Sequence, residues 1–162
     1  MNSVKRLFYI VFSLIFNALN KATKKKSRYL FVSFSGGYYD NLKYFDIYTR
    51  KNSPDTKIVW LSSGDMSLFK GEYHSLYSAQ GIRYLLTSNV ILLNGWTTFF
   101  SYLKFTDDVC VIQLWHGLPI RCIGNDDKWI SQTTLKDMLR CASKWSLFTT
   151  TSRRSVSYLS KA

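Results

Sequence analysis

The spacing of apolar and polar positions changes character twice along this chain. Residues 7–19 read LFYIVFSLIFNAL, an apolar run interrupted on a regular helical period. Its polar neighbours Asn2, Arg6, Tyr9, Ser13, Asn17 and Asn20 fall at steps of four, three, four, four and three, which stacks them as one stripe on an α-helix. The pattern predicts an amphipathic N-terminal helix with a wide apolar face. From Arg28 onward the period shortens. Residues 29–34 (YLFVSF), 57–61 (KIVWL), 89–93 (NVILL) and 109–114 (VCVIQL) are short β-type runs, each followed by turn residues: Gly36-Gly37, Ser62-Ser63-Gly64-Asp65, Asn94-Gly95-Trp96 and Gly117 with Pro119. Helical spacing returns between them at about 39–50, 72–86 and 97–103, then near 133–142. A fifth strand at 146–150 precedes a helix that starts near Arg153, with Thr149-Thr150-Thr151-Ser152 supplying hydroxyls to cap it.

Strands alternating with helices predict an α/β fold. The expectation is a Rossmann-like parallel sheet with flanking helices and right-handed crossovers. Residues 1–26 are expected to form the amphipathic helix and a basic linker, and residues 27–162 the Rossmann-like lobe. A length of 162 residues suits one domain with a real core.

Charge sharpens the reading of the N-terminal helix. Lys5 and Arg6 precede the apolar run and Lys21, Lys24, Lys25 and Lys26 follow it, the pattern of a helix lying in an anionic interface. The run reaches only about 20 Å against a hydrocarbon core of about 30 Å, short for a membrane span. A helix packed on the core or on a partner remains open, as does a signal or short transmembrane segment. No small-x-small cleavage site follows the run, however, and the lysines oppose export. The net charge of +12 gives the sign of the partner: phosphate polymer, nucleotide, acidic lipid or nucleic acid. No nucleic-acid-reading module accompanies it, so nucleic acid is the least supported. Cys110, Cys122 and Cys141 are odd in number and lack metal-ligand spacing, which suggests reduced thiols and no metal. Cys110 and Cys122 are expected to pack.

The chemistry-bearing candidate is His116, where a buried-looking strand meets a Gly/Pro turn. Ligands of open α/β sheets bind beyond the carboxyl ends of the strands, which suits an imidazole there to proton transfer. A structural histidine satisfying the turn is the alternative. Gly36-Gly37 lacks both the dinucleotide and the P-loop spacing. It is either a plain turn or a set of free N–H groups that help hold an anionic acceptor, with Asp40 or Asn41 capping the following helix. His74 is expected in a helix, at the surface or its boundary.

The string Gln113-Leu114-Trp115-His116-Gly117-Leu118-Pro119-Ile120-Arg121-Cys122-Ile123-Gly124 resembles the WHG-x-P-(L/I)-K-x-(I/L)-G signature of the CDP-glycerol glycerophosphotransferases, the wall teichoic acid primases and polymerases. Residues 33–43 (SFSGGYYDNLK) and 57–61 resemble that family's first Gly-rich turn, its Asp-Asn-x-Lys step and its second strand. Two positions depart from the pattern: Leu118 stands for a small polar residue, and Arg121 for a lysine, which keeps charge but changes donor geometry.

The resemblance implies the N-terminal lobe of a GT-B-like fold, with His116 as base for the acceptor hydroxyl and Arg121 as a planar fork on a phosphate. Gly36, Gly37, Asn41, Trp115, Gly117 and Asp126 are the remaining expected substrate contacts. Asp126 or Asp127 would orient the imidazole unless both are merely solvated. It implies no cofactor, with CDP-glycerol as donor substrate and a glycerol phosphate polymer or lipid-linked acceptor. It also implies work at the cytoplasmic face of the membrane. In that family the nucleotide-binding lobe follows the lobe read here. This chain is therefore expected to be the acceptor-side portion, inactive or nearly so alone, either truncated or completed by a partner chain. The competing expectation is a non-catalytic, membrane-peripheral protein that binds anionic polymer.

Overall fold

A computed structural model of the chain describes residues 3–34, 36–117 and 122–159. Among them a six-stranded sheet runs in the order β3-β2-β1-β4-β5-β6 with every neighbouring pair parallel. The strands are β1 (Lys26–Ser33), β2 (Ile58–Ser62), β3 (Tyr73–Ser75), β4 (Ser88–Leu93), β5 (Cys110–Gln113) and β6 (Leu147–Phe148). Helices α1 (Ser3–Ala22), α2 (Asp40–Asn52), α3 (Ala79–Thr87), α4 (Thr98–Tyr102), α5 (Gln132–Ala142) and α6 (Arg153–Leu159) join them. The expected parallel α/β sheet is what the chain forms.

Central strands of such a sheet are covered on both faces and read as continuous apolar runs. In β1, Leu30, Phe31 and Val32 are all fully buried, as are Val59, Trp60 and Leu61 in β2. Alternate residues serve opposite layers. Leu30, Val32, Leu61, Ile91 and Leu93 pack with Phe16 of α1, Leu85 of α3 and Phe99 and Phe100 of α4, whereas Phe31, Trp60 and Leu92 pack with Leu42 of α2, Met66 and Phe69. Phe31 stacks on Trp60 with centroids 5.1 Å apart.

Two elements differ from expectation. Residues 72–86, read as one helical stretch, divide into edge strand β3 and helix α3, because residues 72–75 dock along β2, where Trp60 N–H donates to Glu72 C=O at 3.0 Å. His74 therefore lies in a strand, stacked on Tyr84 and 3.3 Å from Glu72. The fifth predicted strand shortens to two residues at the sheet edge, and Ser152 caps α6 by accepting from Ser155 N–H. Cys110 and Cys122 are exposed rather than packed, and Cys141 is the buried thiol; all three are free. The expectation for Cys110 fails because it opens β5 at the strand's end, on the face of Ile112, where it remains exposed.

Helix α1 packs on α3 and α4 in an inverted sense. Its polar stripe faces the protein. Arg6 Nε donates to Tyr102 OH at 3.2 Å, Asn17 Oδ1 accepts the Lys104 N–H at 2.8 Å, and Asn20 Nδ2 donates to the Lys104 C=O at 3.1 Å. Two asparagine amides thus satisfy both backbone groups of one residue that no strand pairs. Of the apolar residues only Phe16 is fully buried, while Leu7, Phe8, Val11, Leu14, Ile15 and Leu19 stay 49–66% exposed. No helix among the described residues is long and apolar enough to cross a membrane.

Candidate functional site

In a sheet of order 3-2-1-4-5-6 the chain leaves β1 toward one edge and β4 toward the other, which opens a crevice beyond their carboxyl ends. Here that crevice is a cleft of about 670 Å³ lined by Phe34, Tyr39 and Asp40 after β1, Asn94, Gly95 and Trp96 after β4, and His116 after β5. His116 is exposed to it. Among the described residues its ring has no hydrogen bond, and it stacks on the Trp115 indole with centroids 4.4 Å apart and planes at 23°.

The backbone that delivers His116 is clamped residue by residue. Gln113, fully buried in β5, donates from Nε2 to the Gly95 C=O at 2.8 Å and accepts the Trp115 N–H on Oε1 at 3.0 Å, so one side chain ties the end of β4 to the turn after β5. Asn41 in the first turn of α2 donates from Nδ2 to the C=O groups of Leu114 (3.1 Å) and Trp115 (2.9 Å). Thr149 Oγ1 donates to the Leu114 C=O at 2.9 Å. Between these ties Trp115 adopts φ 55°, and Gly117 follows at φ 130°. A left-handed tryptophan costs about 1–2 kcal/mol and persists only where its surroundings enforce it. That conformation turns the chain sharply enough to leave His116 on the cleft side. Gly117 has open space where a Cβ would stand, so its backbone angle, not crowding, calls for glycine.

The turn after β1 forms the cleft's other wall. Gly36 and Gly37 both have positive φ (80° and 85°), and a Cβ on Gly36 would lie 2.8 Å from Gly64 Cα. The two glycine turns after β1 and β2 therefore touch backbone to backbone. Gly37 N–H donates to Ser62 Oγ at 3.2 Å, so that donor is already engaged within the fold. The structure assigns the helix start differently from expectation: Tyr39 occupies the cap position of α2 without a side-chain bond, and Asp40, at φ 64°, accepts the Asn41 N–H on Oδ1 at 2.8 Å.

Of the expected substrate contacts, Asn41, Trp115 and Gly117 line a smaller pocket next to the turn, and Gly36 and Gly37 pack within the turn after β1; none of the five lines the His116 cleft itself. Asp126 lies apart, exposed in a 3-10 turn at Gly124–Asp126, and it does not line the cleft. Asp127 accepts the Trp129 N–H at 2.9 Å instead of approaching the imidazole. The acid that shares the cleft with His116 is Asp40. Arg121 lies outside the described residues. Among the described residues no cluster of metal-ligating side chains occurs.

Sequence reasoning passed over Gln113 and Asn94. Gln113 was detectable as the one amide in an otherwise apolar strand. Asn94, 4% exposed and with no partner for its Oδ1 among the described residues, was masked by its resemblance to an ordinary Asn-Gly turn. Asn94 thus brings to the cleft wall a buried amide whose oxygen has spare acceptor capacity.

Comparison with known proteins bears on the same region. The family model for CDP-Glycerol:Poly(glycerophosphate) glycerophosphotransferase matches residues 14–162. The solved structure of the wall teichoic acid polymerase TagF superposes with a TM-score of 0.75 at 22% identity, covering 100% of this chain and 45% of that one. A histidine-to-alanine variant of the polymerase gives 0.75, 21%, 99% and 43%, and a histidine-to-asparagine variant 0.75, 18%, 100% and 45%. The chain thus spans less than half the length of these structures, and at such identities the likeness establishes the fold, including a lobe of the expected Rossmann type. No curated protein matches the sequence significantly. With nearly the whole chain inside the family match, and with its Trp115-His116-Gly117 turn at the switch point of a matching fold, this protein belongs to the CDP-glycerol:poly(glycerophosphate) glycerophosphotransferase family.

Proposed function

We propose that the chain is the acceptor-side portion of a glycerophosphotransferase that moves glycerol phosphate from CDP-glycerol to a hydroxyl of a teichoic acid or related polymer. The observation that carries this reading is the exposure of His116 in the switch-point cleft beside the Asn94 oxygen, which has no partner among the described residues. His116 takes the proton of the acceptor hydroxyl as its oxygen attacks the glycerol-bearing phosphorus. The P–O bond to the other phosphate breaks, and CMP leaves with that electron pair. Asn94 accepts a hydrogen bond from a neighbouring acceptor hydroxyl, and Asp40 favours the imidazolium that forms. Gly117 and Trp115 shape the approach, and Arg121 pairs with a phosphate. The nucleotide is held by a second lobe, in the same polypeptide or in a partner chain.

The test assays transfer from labelled CDP-glycerol to a glycerol phosphate polymer, by this chain alone and mixed with a nucleotide-binding lobe of a family member. Transfer is expected in the mixture, and His116→Gln should lower it by about 10²- to 10⁴-fold, the contribution of a positioned base. Full activity of His116→Gln would refute the assignment.

A second reading has its own support. The outward apolar face of α1 favours a protein held peripherally on an anionic membrane, at the cytoplasmic face. That placement is compatible with the transferase reading and is the whole function if the mixture shows no transfer.

A further inference from the structure

A second cavity lies away from His116, at the amino-terminal end of β5. It measures about 830 Å³ and runs between α1, the segment after α4 and the end of α5. Four cations line it, Arg6, Lys104, Arg140 and Lys144, against one acid, Asp107. Arg6 donates to Tyr102 OH. Arg140 sits over the Tyr102 ring at 5.7 Å and reaches Asp137 at 3.3 Å. Lys144 donates to the Ser101 C=O at 2.8 Å and to the Arg140 C=O. Among the described residues the Lys104 ammonium has no acceptor. Burial depresses the Lys144 ammonium, and Arg140 and Lys104 depress it further against the opposing pull of Cys141 and Asp137, so Lys144 feels the positive charge of both neighbours across the cavity. An anion placed in the hollow would favour the charged form of all four side chains.

The other wall supplies the second observation. Ile10 and Leu14 of α1 line this cavity, and Leu14 also belongs to the outward apolar face. A ligand with its phosphate among the four cations would therefore have its apolar part beside Leu7, Val11 and Leu14. We propose that this cleft binds the phosphate headgroup of an anionic phospholipid, while the outward face of α1 lies among the acyl chains of the same bilayer. The proposal rests on the reading of α1 as membrane-facing. It adds a built headgroup site to that reading and fixes which side of the domain meets the membrane.

The experiment uses the full chain, with vesicles of phosphatidylcholine alone or mixed with phosphatidylglycerol, and with a short-chain phosphatidylglycerol kept below its micelle concentration. Lys104→Gln with Arg140→Gln is compared with Lys51→Gln and Lys70→Gln, which remove the same charge from exposed positions on the α2 side. At about 1 kcal/mol per basic residue near an anionic surface, the cleft pair should weaken binding to the mixed vesicles by about 30-fold. The control pair should change it less than about twofold, and the short-chain lipid should bind the parent chain and not the cleft variant. Equal losses from both pairs, or no binding of the short-chain lipid, would overturn the site; so would binding of inorganic phosphate as tight as that of the lipid. Leu7→Ser with Val11→Ser tests α1 separately: unchanged vesicle binding there removes the membrane-facing helix, while short-chain lipid binding still reports on the cleft.

Discussion

Replacing Gln113 by leucine gives the sharpest test of how the turn at His116 is built. The substitution keeps the volume in a fully buried position and deletes both bonds that join β4 to the Trp115 turn. It leaves the Gly95 C=O and the Trp115 N–H without their partner. A buried group so orphaned costs about 1–3 kcal/mol, and because Gly95 and Trp115 are only half-buried, water recovers part of this. A total near 3 kcal/mol results, from which relaxation of the left-handed Trp115 returns about 1–2 kcal/mol. The net loss should be about 1–2 kcal/mol in urea unfolding, read as a lower midpoint at unchanged slope. The same relaxation moves His116, and a displacement near 1 Å at a reacting group costs about 10²-fold in rate. Transfer in the two-lobe assay should therefore fall far more than stability, with acceptor KM little changed. A variant that loses more than about 3 kcal/mol while keeping its rate would show that Gln113 only supports the fold, and the account of the turn would be wrong.

Gly36→Ala should destabilise by about 2–4 kcal/mol, since it adds both a left-handed penalty and a methyl 2.8 Å from Gly64 Cα; thermal unfolding checks this. Thiol labelling should modify Cys110 and Cys122 rapidly and Cys141 only on unfolding. Burial lifts the Cys141 thiol to about 11 from an ordinary 9.0. The folded state thus holds that proton more tightly, and its contribution is present below pH 9.0 and lost as pH rises toward 11. The loss is roughly 2–3 kcal/mol at 1.4 kcal/mol per unit, and Cys141→Ala should flatten that part of the stability profile.

The alternation of strand and helix was written in the sequence, because two-sided burial makes β1, β2 and β4 continuous apolar runs that no surface segment imitates. The Trp115-His116-Gly117 turn was legible for a similar reason: a strand that ends in glycine and proline has only one place to go. Edge strand β3 was not legible, since three residues gain their strand character from pairing with β2 and carry no period of their own. The polar stripe of α1 was visible as a stripe, but a helical wheel has no inside or outside. The backbone of Lys104, presented by a segment more than eighty residues away, holds Asn17 and Asn20 inward, while Phe16 alone of the apolar residues is fully buried and much of the apolar face stays out. Likewise Asp40 and Asn94 meet His116 because the sheet reverses its order between β1 and β4, a fact of topology that spacing along the chain does not encode. Local sequence fixes the period of each segment, whereas what a side chain faces depends on partners brought from afar, and so the elements could be read in advance but the walls of the two clefts could not.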